Sequence, residues 1–412
     1  MRLKHTLIVA MATVALAISG QTRAADLVPI AADDSGILDT LITERMNEAG
    51  MVGVGAAIIV DKKVVWTKGY GFSDKAQAIP FTPNTVMNIA SISKTVTGVA
   101  LMRAVEEGKL SLDADINTYL PFKVVNPHFP QGRITLRQLA THTSSITDRW
   151  AVYEGTYHYG SDSPEPLDRF LRDYFSPDGR RYAEDNFLNA APGTQREYSN
   201  IAAGLAGYIV ERAVGQKLDA YTQQQIFDPL RMKDTSWFLS KTALDKHAKL
   251  YVSQYGLAIP IPLYGGTTYP DGGVRTSVSD LSKFFIALLN EGEYEGIRIL
   301  QRRSTNEMLR FAFTVKSKPD NVDLKEKNSG IFWQSKFNVT RMGHGGTDPG
   351  LKTEMLTDLS KDIGVILFTN TSLDAQGMAA YSAIFEALWK RAEELRRDAP
   401  QRVTPVTDRV PK

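Results

Sequence analysis

Residues 52–71 read VGVGAAIIVDKKVVWTKGYG, and this stretch decides how the chain begins to fold. Two runs rich in valine and isoleucine, at 52–60 and 64–71, flank the polar triplet DKK. Two such runs joined by a short polar turn are typical of a β-hairpin. The sequence therefore predicts that the fold opens, near its amino end, with two paired strands.

The period of the apolar residues changes to that of a helix at residues 91–107, SISKTVTGVALMRAVEE, and Gly108 supplies the stop. The same helical spacing recurs at 37–49, 201–214, 281–290 and about 379–397. Strand patterns return at 331–337, 352–356 and 363–369. Strands therefore lie near both ends of the chain, with helices between them.

This distribution predicts an α/β fold in which one sheet is built from the two ends of the chain and an all-α lobe is inserted. We expect residues of about 25–90 and 311–398 to form the α/β part, and residues of about 91–310 to form the lobe. Ligands bind preferentially at seams between such units, so a site is expected there.

The first 24 residues have the features of an export signal. Arg2 and Lys4 precede the apolar run at 7–18, and Ala24 ends a small-residue cleavage pattern. An uncleaved anchor is the alternative, although no later run is long and apolar enough to span a membrane. We expect a periplasmic or secreted bacterial protein of which residues 25–398 are the catalytic domain, with a disordered tail at 399–412.

The composition excludes several classes of function. The 412 residues include no cysteine, so there is no disulfide, thiolate metal site or cysteine nucleophile. The formal net charge of +2 gives no drive toward nucleic acid or anionic membranes. Six histidines spread along the chain give little support for a metal site. We expect no cofactor and no metal, and a small molecule or a peptide as the substrate.

Residues 91–94 are the one S-x-x-K sequence in the chain. Positions i and i+3 share a helix face, so the Ser91 hydroxyl and the Lys94 amine can come within hydrogen-bonding reach. Burial of Lys94 is expected to depress its pKa, which would let it act as a base. The alternative is an ordinary serine in the first helical turn and a surface lysine.

Two further motifs carry polar groups suited to acyl transfer. Tyr198 and Asn200 follow a Pro-Gly turn and open the helix at 201, where a tyrosine beside a lysine can shuttle protons. Residues 344–347 read HGGT, in which the glycines allow a strand to approach a ligand closely. Each motif has an alternative, because Tyr198 can be a packing residue and Asn200 a helix cap.

Taken together, the order S-x-x-K, Y-x-N, H-x-G resembles the class C β-lactamase-like branch of the serine penicillin-recognising family. The resemblance extends over the stretches NIASISK (88–94), ITLRQLATHTS (134–144) and PLRMKDT (229–235), and over 343–370. That branch also contains D,D-peptidases, D-aminopeptidases and esterases. It implies an antiparallel sheet flanked by helices, as in the β-lactamase/transpeptidase fold.

The resemblance also implies a role for each motif residue. Ser91 matches the acylated nucleophile, Lys94 its activating partner, Tyr198 the general acid/base, Asn200 a substrate amide contact, and the N–H groups of Ser91 and Thr347 the oxyanion hole. His344, Gly346 and Thr347 are expected to contact the substrate, and His344 stands where dedicated class C enzymes have a lysine. His142 matches a structural position.

The departure at His344 affects the expected substrate. A histidine of ordinary pKa is mostly neutral at pH 7 and grips a carboxylate less well than a lysine does. We therefore expect neutral or weakly anionic substrates and poor hydrolysis of β-lactams. Trp150 and Tyr153, in an aromatic stretch between two motifs, are expected to line an acyl pocket, with packing inside the lobe as the alternative.

These observations predict an exported serine hydrolase that forms an acyl-enzyme with a D-amino-acid peptide or a short-chain ester. A true class C-like β-lactamase is one alternative. A penicillin-binding sensor or scaffold that turns nothing over is the other. The oligomeric state stays open.

Overall fold

The structure is a computed structural model that describes residues 32–254 and 257–398. The predicted signal at 1–24 and the predicted tail at 399–412 lie outside these residues. The described chain forms ten α-helices: α1 (Ala32–Glu48), α2 (Ser93–Glu106), α3 (Leu136–Ala140), α4 (Trp150–Glu154), α5 (Leu167–Phe175), α6 (Asn200–Val214), α7 (Leu218–Thr222), α8 (Val278–Leu289), α9 (Arg302–Leu309) and α10 (Ala375–Asp398).

The same described residues form fifteen strands, several of only two or three residues. They are β1 (Gly53–Val60), β2 (Lys63–Asp74), β3 (Ile79–Pro80), β4 (Met87–Asn88), β5 (Tyr157–Tyr159), β6 (Leu250–Gln254), β7 (Leu257–Ile261), β8 (Tyr264–Gly266), β9 (Arg275–Thr276), β10 (Glu293–Tyr294), β11 (Ile297–Arg298), β12 (Gln334–Lys336), β13 (Arg341–Asp348), β14 (Leu351–Asp358) and β15 (Ile363–Thr369).

Seven of these strands form one sheet, in the order β12-β13-β14-β15-β1-β2-β3. Its neighbours pair antiparallel throughout. The two ends of the chain meet at its centre, where β1 pairs with β15 in the register Val54↔Thr369 to Val60↔Ile363. The predicted α/β fold, with a sheet built from amino- and carboxyl-terminal strands, is confirmed.

Helices cover both faces of the sheet because the central strands are apolar on both sides. Along β1, Val54 and Ile58 belong to a core shared with α1 and α10, whereas Ala57 and Ile59 face the larger core that contains α2 and α8. This alternation follows from the two-residue period of a strand. Full burial of an isoleucine such as Ile58 stabilises the fold by about 1.5–3 kcal/mol.

The inserted region between β3 and β12 is mainly helical, as predicted, but it also contains four two-stranded ladders. One of them joins β5 to β8 across about a hundred residues of sequence. Six of the eight strands in these ladders have only two or three residues, too few to show the alternation that marks a strand in sequence. No helix within residues 32–254 and 257–398 has both the length and the apolarity required to cross a bilayer.

Helix α2 is the element that joins the two parts. It packs against α6 and α9 of the lobe, and the 3₁₀ turn Ala90–Ile92 that precedes it contacts β13 and β14 of the sheet. Most of its residues are buried. The S-x-x-K motif therefore lies at the seam, with Ser91 in the 3₁₀ turn and Lys94 in the first turn of α2.

Candidate active site

Ser91 is held by a tight turn. Ala90, the residue before it, has φ +47°, a left-handed conformation that is uncommon for an alanine. The side chain of Asn88 accepts a hydrogen bond from the Ala90 N–H at 2.6 Å, and the Thr353 hydroxyl donates to the Ile89 carbonyl at 3.0 Å. These contacts hold the strained turn in place, as is common next to reacting residues.

Lys94 is buried and uses all three of its N–H donors. Its Nζ donates to Ser91 Oγ at 3.0 Å, to Asn200 Oδ1 at 2.7 Å and to the Asp271 main-chain carbonyl at 2.8 Å. An ammonium group has three donors and no acceptor, so this geometry fully satisfies the charged form. The reading of Lys94 as a surface lysine is wrong, since its exposed fraction is 0%.

The expected depression of the Lys94 pKa is also wrong. Burial by itself lowers this pKa, but the nearby Tyr198, Asp271 and Asp148 act in the opposite direction, and the net result is a raised pKa. The expectation was based on burial alone and left out the neighbouring groups that the fold places close to Lys94. Lys94 is therefore an ammonium group at neutral pH, and a donor toward Ser91.

Tyr198 completes the cluster around the serine. Its hydroxyl donates to Ser91 Oγ at 2.9 Å, and Lys94 Nζ lies 5.0 Å from the centre of its ring. The His142 ring also packs against the Tyr198 ring, with centroids 4.3 Å apart, and His142 Nδ1 accepts from the Ser199 N–H at 3.3 Å. These contacts place His142 as a support for the tyrosine.

Asn200 is the first residue of α6, and an acidic side chain that sequence reasoning missed fixes that end of the helix. Asp148 accepts from the Ser199 hydroxyl at 2.7 Å, from the Asn200 N–H at 2.8 Å and from the Ile201 N–H at 3.0 Å. A carboxylate is favoured at a helix amino end. Asn200 lines the site cavity and also holds Lys94, so its role toward substrate stays a prediction.

The H-x-G motif lies inside β13. Gly346 is required there, because a Cβ atom at this position would lie 2.5 Å from the Ile89 carbonyl oxygen and 2.8 Å from the Ala90 Cβ. The strand consequently reaches the turn that carries Ser91. Thr347 follows on the cavity wall, and the oxyanion role of its N–H stays a prediction.

His344 is placed differently from the expectation that it holds substrate. It is buried, and both ring nitrogens have protein partners: Nδ1 donates to the Gly345 carbonyl at 2.7 Å, and Nε2 accepts from the Gln334 amide at 3.0 Å. Burial, followed by the charge of Lys94, lowers its pKa well below the ordinary value. His344 is thus a neutral ring outside the cavity lining, with no free donor for a carboxylate.

A cavity of about 870 Å³ opens above Ser91. The structure places both predicted aromatic residues on its wall, Trp150 with 61% of its surface exposed and Tyr153 almost buried. Its further lining residues are Glu154, Tyr157, Tyr159, Tyr198, Asn200, Gln334, Lys336, Gly345, Gly346, Thr347, Asp348, Pro349, Lys352, Ser372 and Leu373. The lining therefore combines aromatic side chains of α4 and β5 with residues of β12, β13 and β14.

Two carboxyl groups that accept hydrogen bonds from tyrosines of the cavity lining were also missed. Tyr153 donates to Asp271 Oδ1 at 3.1 Å, and Tyr157 donates to Asp348 Oδ1 at 2.8 Å. Burial raises the pKa of Asp271 to about 6 and that of Asp348 to about 7. Both lie beside glycine or proline in sequence, a pattern that reads as an ordinary turn.

Comparison with known proteins identifies relatives of this arrangement. The family described as Beta-lactamase matches residues 38–388. Protein flp of Staphylococcus aureus is 24% identical over 82% of this chain and 63% of its own length. Esterase EstB of Burkholderia gladioli is 28% identical over 48% of this chain and 50% of its own length. The chain thus spans about two thirds or less of these relatives.

A solved structure with a related name also has a similar fold. The octameric penicillin-binding protein homologue from Pyrococcus abyssi superposes with a TM-score of 0.69 at 26% sequence identity. The match covers 88% of this chain and 79% of that one. The similarity therefore includes both the sheet and the inserted lobe.

Proposed function

Because the chain belongs to the beta-lactamase family, we propose that it is a serine hydrolase that forms an acyl-enzyme on Ser91. One observation carries the proposal. Ser91 Oγ lies within 3.0 Å of both Lys94 Nζ and the Tyr198 hydroxyl, at the floor of a cavity large enough for a small substrate. A nucleophile in hydrogen-bonding contact with its proton-transfer partner is the arrangement that acyl transfer requires.

Acylation begins with attack of Ser91 Oγ on the substrate carbonyl carbon. Tyr198 accepts the serine proton as the new C–O bond forms, and its own proton passes to the leaving oxygen or nitrogen. The two hydroxyl oxygens lie 2.9 Å apart with Tyr198 as the donor in the resting protein, so this transfer is direct once the serine hydroxyl turns to donate to Tyr198. Lys94 stays protonated and stabilises negative charge that develops on either oxygen, which matches its raised pKa.

The carbonyl oxygen becomes negative in the tetrahedral intermediate. The N–H groups of Ser91 and Thr347 are our candidates for stabilising it, and the close approach of Gly346 to the Ser91 turn supports this assignment. Deacylation reverses the proton path. Water attacks the ester carbonyl, gives a proton to Tyr198, and the proton returns to Ser91 as the C–O bond to serine breaks.

Small esters and amides are the proposed substrates, with D-amino-acid peptides and short-chain esters as the two classes. The name of the Burkholderia relative supports the ester class. Penicillin recognition is supported by the name of the archaeal homologue. A neutral His344 in place of a lysine favours the hydrolase over a dedicated β-lactamase. We also propose that the protein is exported, because residues 1–24 have the features of an export signal.

The test is the Ser91→Ala variant against a panel of D-Ala-D-Ala peptides, nitrophenyl esters and nitrocefin. We expect turnover of at least one ester or peptide that is abolished in Ser91→Ala and kept in Ser240→Ala, which removes an exposed serine hydroxyl outside the cavity. Undiminished hydrolysis by Ser91→Ala would exclude the assigned nucleophile. Turnover of nitrocefin alone would favour a true β-lactamase, and no turnover of anything would favour a sensor.

A further inference from the structure

Asp271 and Asp348 are acidic residues that adjoin groups of the proposed mechanism but have no role in it so far. Asp271 ends the 3₁₀ turn Tyr269–Asp271, and its main-chain carbonyl accepts a hydrogen bond from Lys94 Nζ at 2.8 Å. Asp348 ends β13, directly follows the candidate oxyanion donor Thr347 and lines the active-site cavity. The charge of either carboxyl group therefore acts on the reacting atoms.

The two carboxyl groups meet at a small internal cavity. Its volume is about 20 Å³, and its lining includes Asp271, Asp348, Tyr153 and Tyr157. Gly272 follows Asp271 in the chain, and a Cβ atom at Gly272 would lie 3.8 Å from Asp348 Oδ2. This volume has room for one water molecule, for which the carboxyl oxygens are suitable partners. One water molecule can therefore hydrogen-bond to both carboxyl groups.

The hydrogen bonds around the pair favour a proton between the two carboxyl groups. Tyr153 donates to Asp271 Oδ1 at 3.1 Å, and Tyr157 donates to Asp348 Oδ1 at 2.8 Å. Asp271 Oδ2 is buried and has no hydrogen-bond partner within the described part of the chain. A buried carboxylate with an unpaired oxygen is costly, and a proton shared across the cavity removes that cost.

Groups of both charges face the pair from the neighbouring elements. They are Lys94 on α2, Asp148 before α4, Tyr153 on α4, Tyr157 and Tyr159 on β5, Tyr264 on β8 and Arg275 on β9. Burial raises the pKa of both carboxyl groups, and the charge of Asp271 adds to the rise at Asp348. Lys94 and Arg275 oppose the rise at Asp348 without cancelling it. Two carboxyl groups coupled in this way titrate as a pair.

We propose that Asp271 and Asp348 share one proton, and that loss of this proton places a further negative charge beside the oxyanion and slows acylation of Ser91. The inference rests on the proposed function and deepens it. An ionised Asp348, next to Thr347, repels the negative charge that develops on the substrate carbonyl oxygen. The released proton passes to solvent, and no bond of the substrate takes part. Asp271 is a positioning residue, because it acts by keeping the proton on the pair.

The test is the pH dependence of kcat/KM from about pH 6 to about pH 9. The substrate is the uncharged nitrophenyl ester that the wild-type protein hydrolyses fastest, with the Ser91→Ala rate subtracted at each pH. Asp348→Asn and Asp271→Asn keep an oxygen that can accept from the tyrosine but remove the ionisable group. Glu326→Gln, which removes an exposed carboxyl group outside the cavity lining, is the control.

We expect wild-type kcat/KM to fall by about fivefold or more around pH 7, as Asp348 ionises. The fall should be absent in Asp348→Asn and unchanged in Glu326→Gln. In Asp271→Asn it should move about one pH unit lower, because Asp348 loses the neighbouring charge that raises its pKa. A role of the pair in packing alone would instead lower kcat/KM equally at every pH.

Tyr157→Phe is a second variant that does not depend on the stability of the aspartate variants. The Tyr157 hydrogen bond lowers the pKa of Asp348, so its removal should move the fall in kcat/KM to higher pH. The two shifts are thus predicted in opposite directions.

Three results would overturn the inference. They are a wild-type kcat/KM that does not fall in this range, a fall that persists in Asp348→Asn, and a fall that stays at the same pH in Asp271→Asn or Tyr157→Phe. None of these results affects the proposed nucleophile, which fails only if Ser91→Ala still hydrolyses the ester. The two proposals are therefore separable with one substrate.

Discussion

Removal of the Tyr198 hydroxyl tests the proton path while leaving the fold intact. In Tyr198→Phe the ring stays, with its contacts to His142 and Lys94, and only the oxygen that lies 2.9 Å from Ser91 Oγ is lost. A positioned general acid/base contributes about 100- to 10,000-fold, or about 3–5 kcal/mol of barrier. The hydrogen bond itself contributes only about 1 kcal/mol to stability. We therefore expect a large loss of rate in a folded protein.

The assay measures kcat/KM with a short-chain nitrophenyl ester, together with urea unfolding of each variant. Tyr159→Phe is the matched control, since it removes the same atom from another tyrosine of the same cavity. We expect Tyr159→Phe to retain wild-type activity within about threefold, because no step of the proton transfer uses it. A loss of less than about tenfold in Tyr198→Phe, or an equal loss in both variants, would refute the proton path.

Three further predictions concern the residues that support the site. The fold raises the pKa of Asp348 from 3.8 to about 7, so the folded protein holds this proton more tightly than the unfolded chain does. The contribution of Asp348 to the free energy of unfolding therefore falls as the pH rises between those two values. Asp348→Asn should therefore raise Tm relative to the wild type more at pH 8 than at pH 5, and a pH-independent difference would contradict this assignment. Asp148→Ala removes three hydrogen bonds at the start of α6 and should lower the free energy of unfolding in urea by about 2 kcal/mol, whereas an unchanged midpoint would argue against the cap. Gly346→Ala places a Cβ atom 2.5 Å from the Ile89 oxygen and should lower kcat/KM by about tenfold or more. The control Gly266→Ala has open space at its Cβ and should leave kcat/KM unchanged. Equal activity of the two variants would count against the close approach of β13 to the Ser91 turn.

The sheet and the main helices were predictable because each strand or helix shows its pattern of apolar residues within one short stretch of sequence. The alternation in β1 and the helical spacing in α2 are visible within single stretches of about ten residues. The three motifs were likewise recognised from their order, and the structure brings Ser91, Lys94 and Tyr198 together. These elements and motifs were therefore predictable because each is defined by residues close together in the sequence.

The rest of the site depends on approach between distant segments. Asp148 caps a helix that begins 52 residues later, and nothing near it in sequence indicates that contact. Lys352 lines the cavity because the fold pairs β14 with β13, where it lies opposite Thr347. The direction of the Lys94 pKa shift depends on Asp271, a residue 177 positions away. Contacts formed by the tertiary structure determine these features. For Lys94, an argument from burial alone predicted a lowered pKa, whereas the neighbouring charges raise it.

The central claim is that Ser91 becomes covalently acylated, and peptide mapping by mass spectrometry tests it most directly. The protein is mixed with a nitrophenyl ester, quenched in acid within the first turnover, digested and mapped. The account predicts an added mass equal to the acyl group on the peptide that contains Ser91, which disappears as product forms and is absent in Ser91→Ala. Turnover with no adduct, or with an adduct on a different residue, would contradict it.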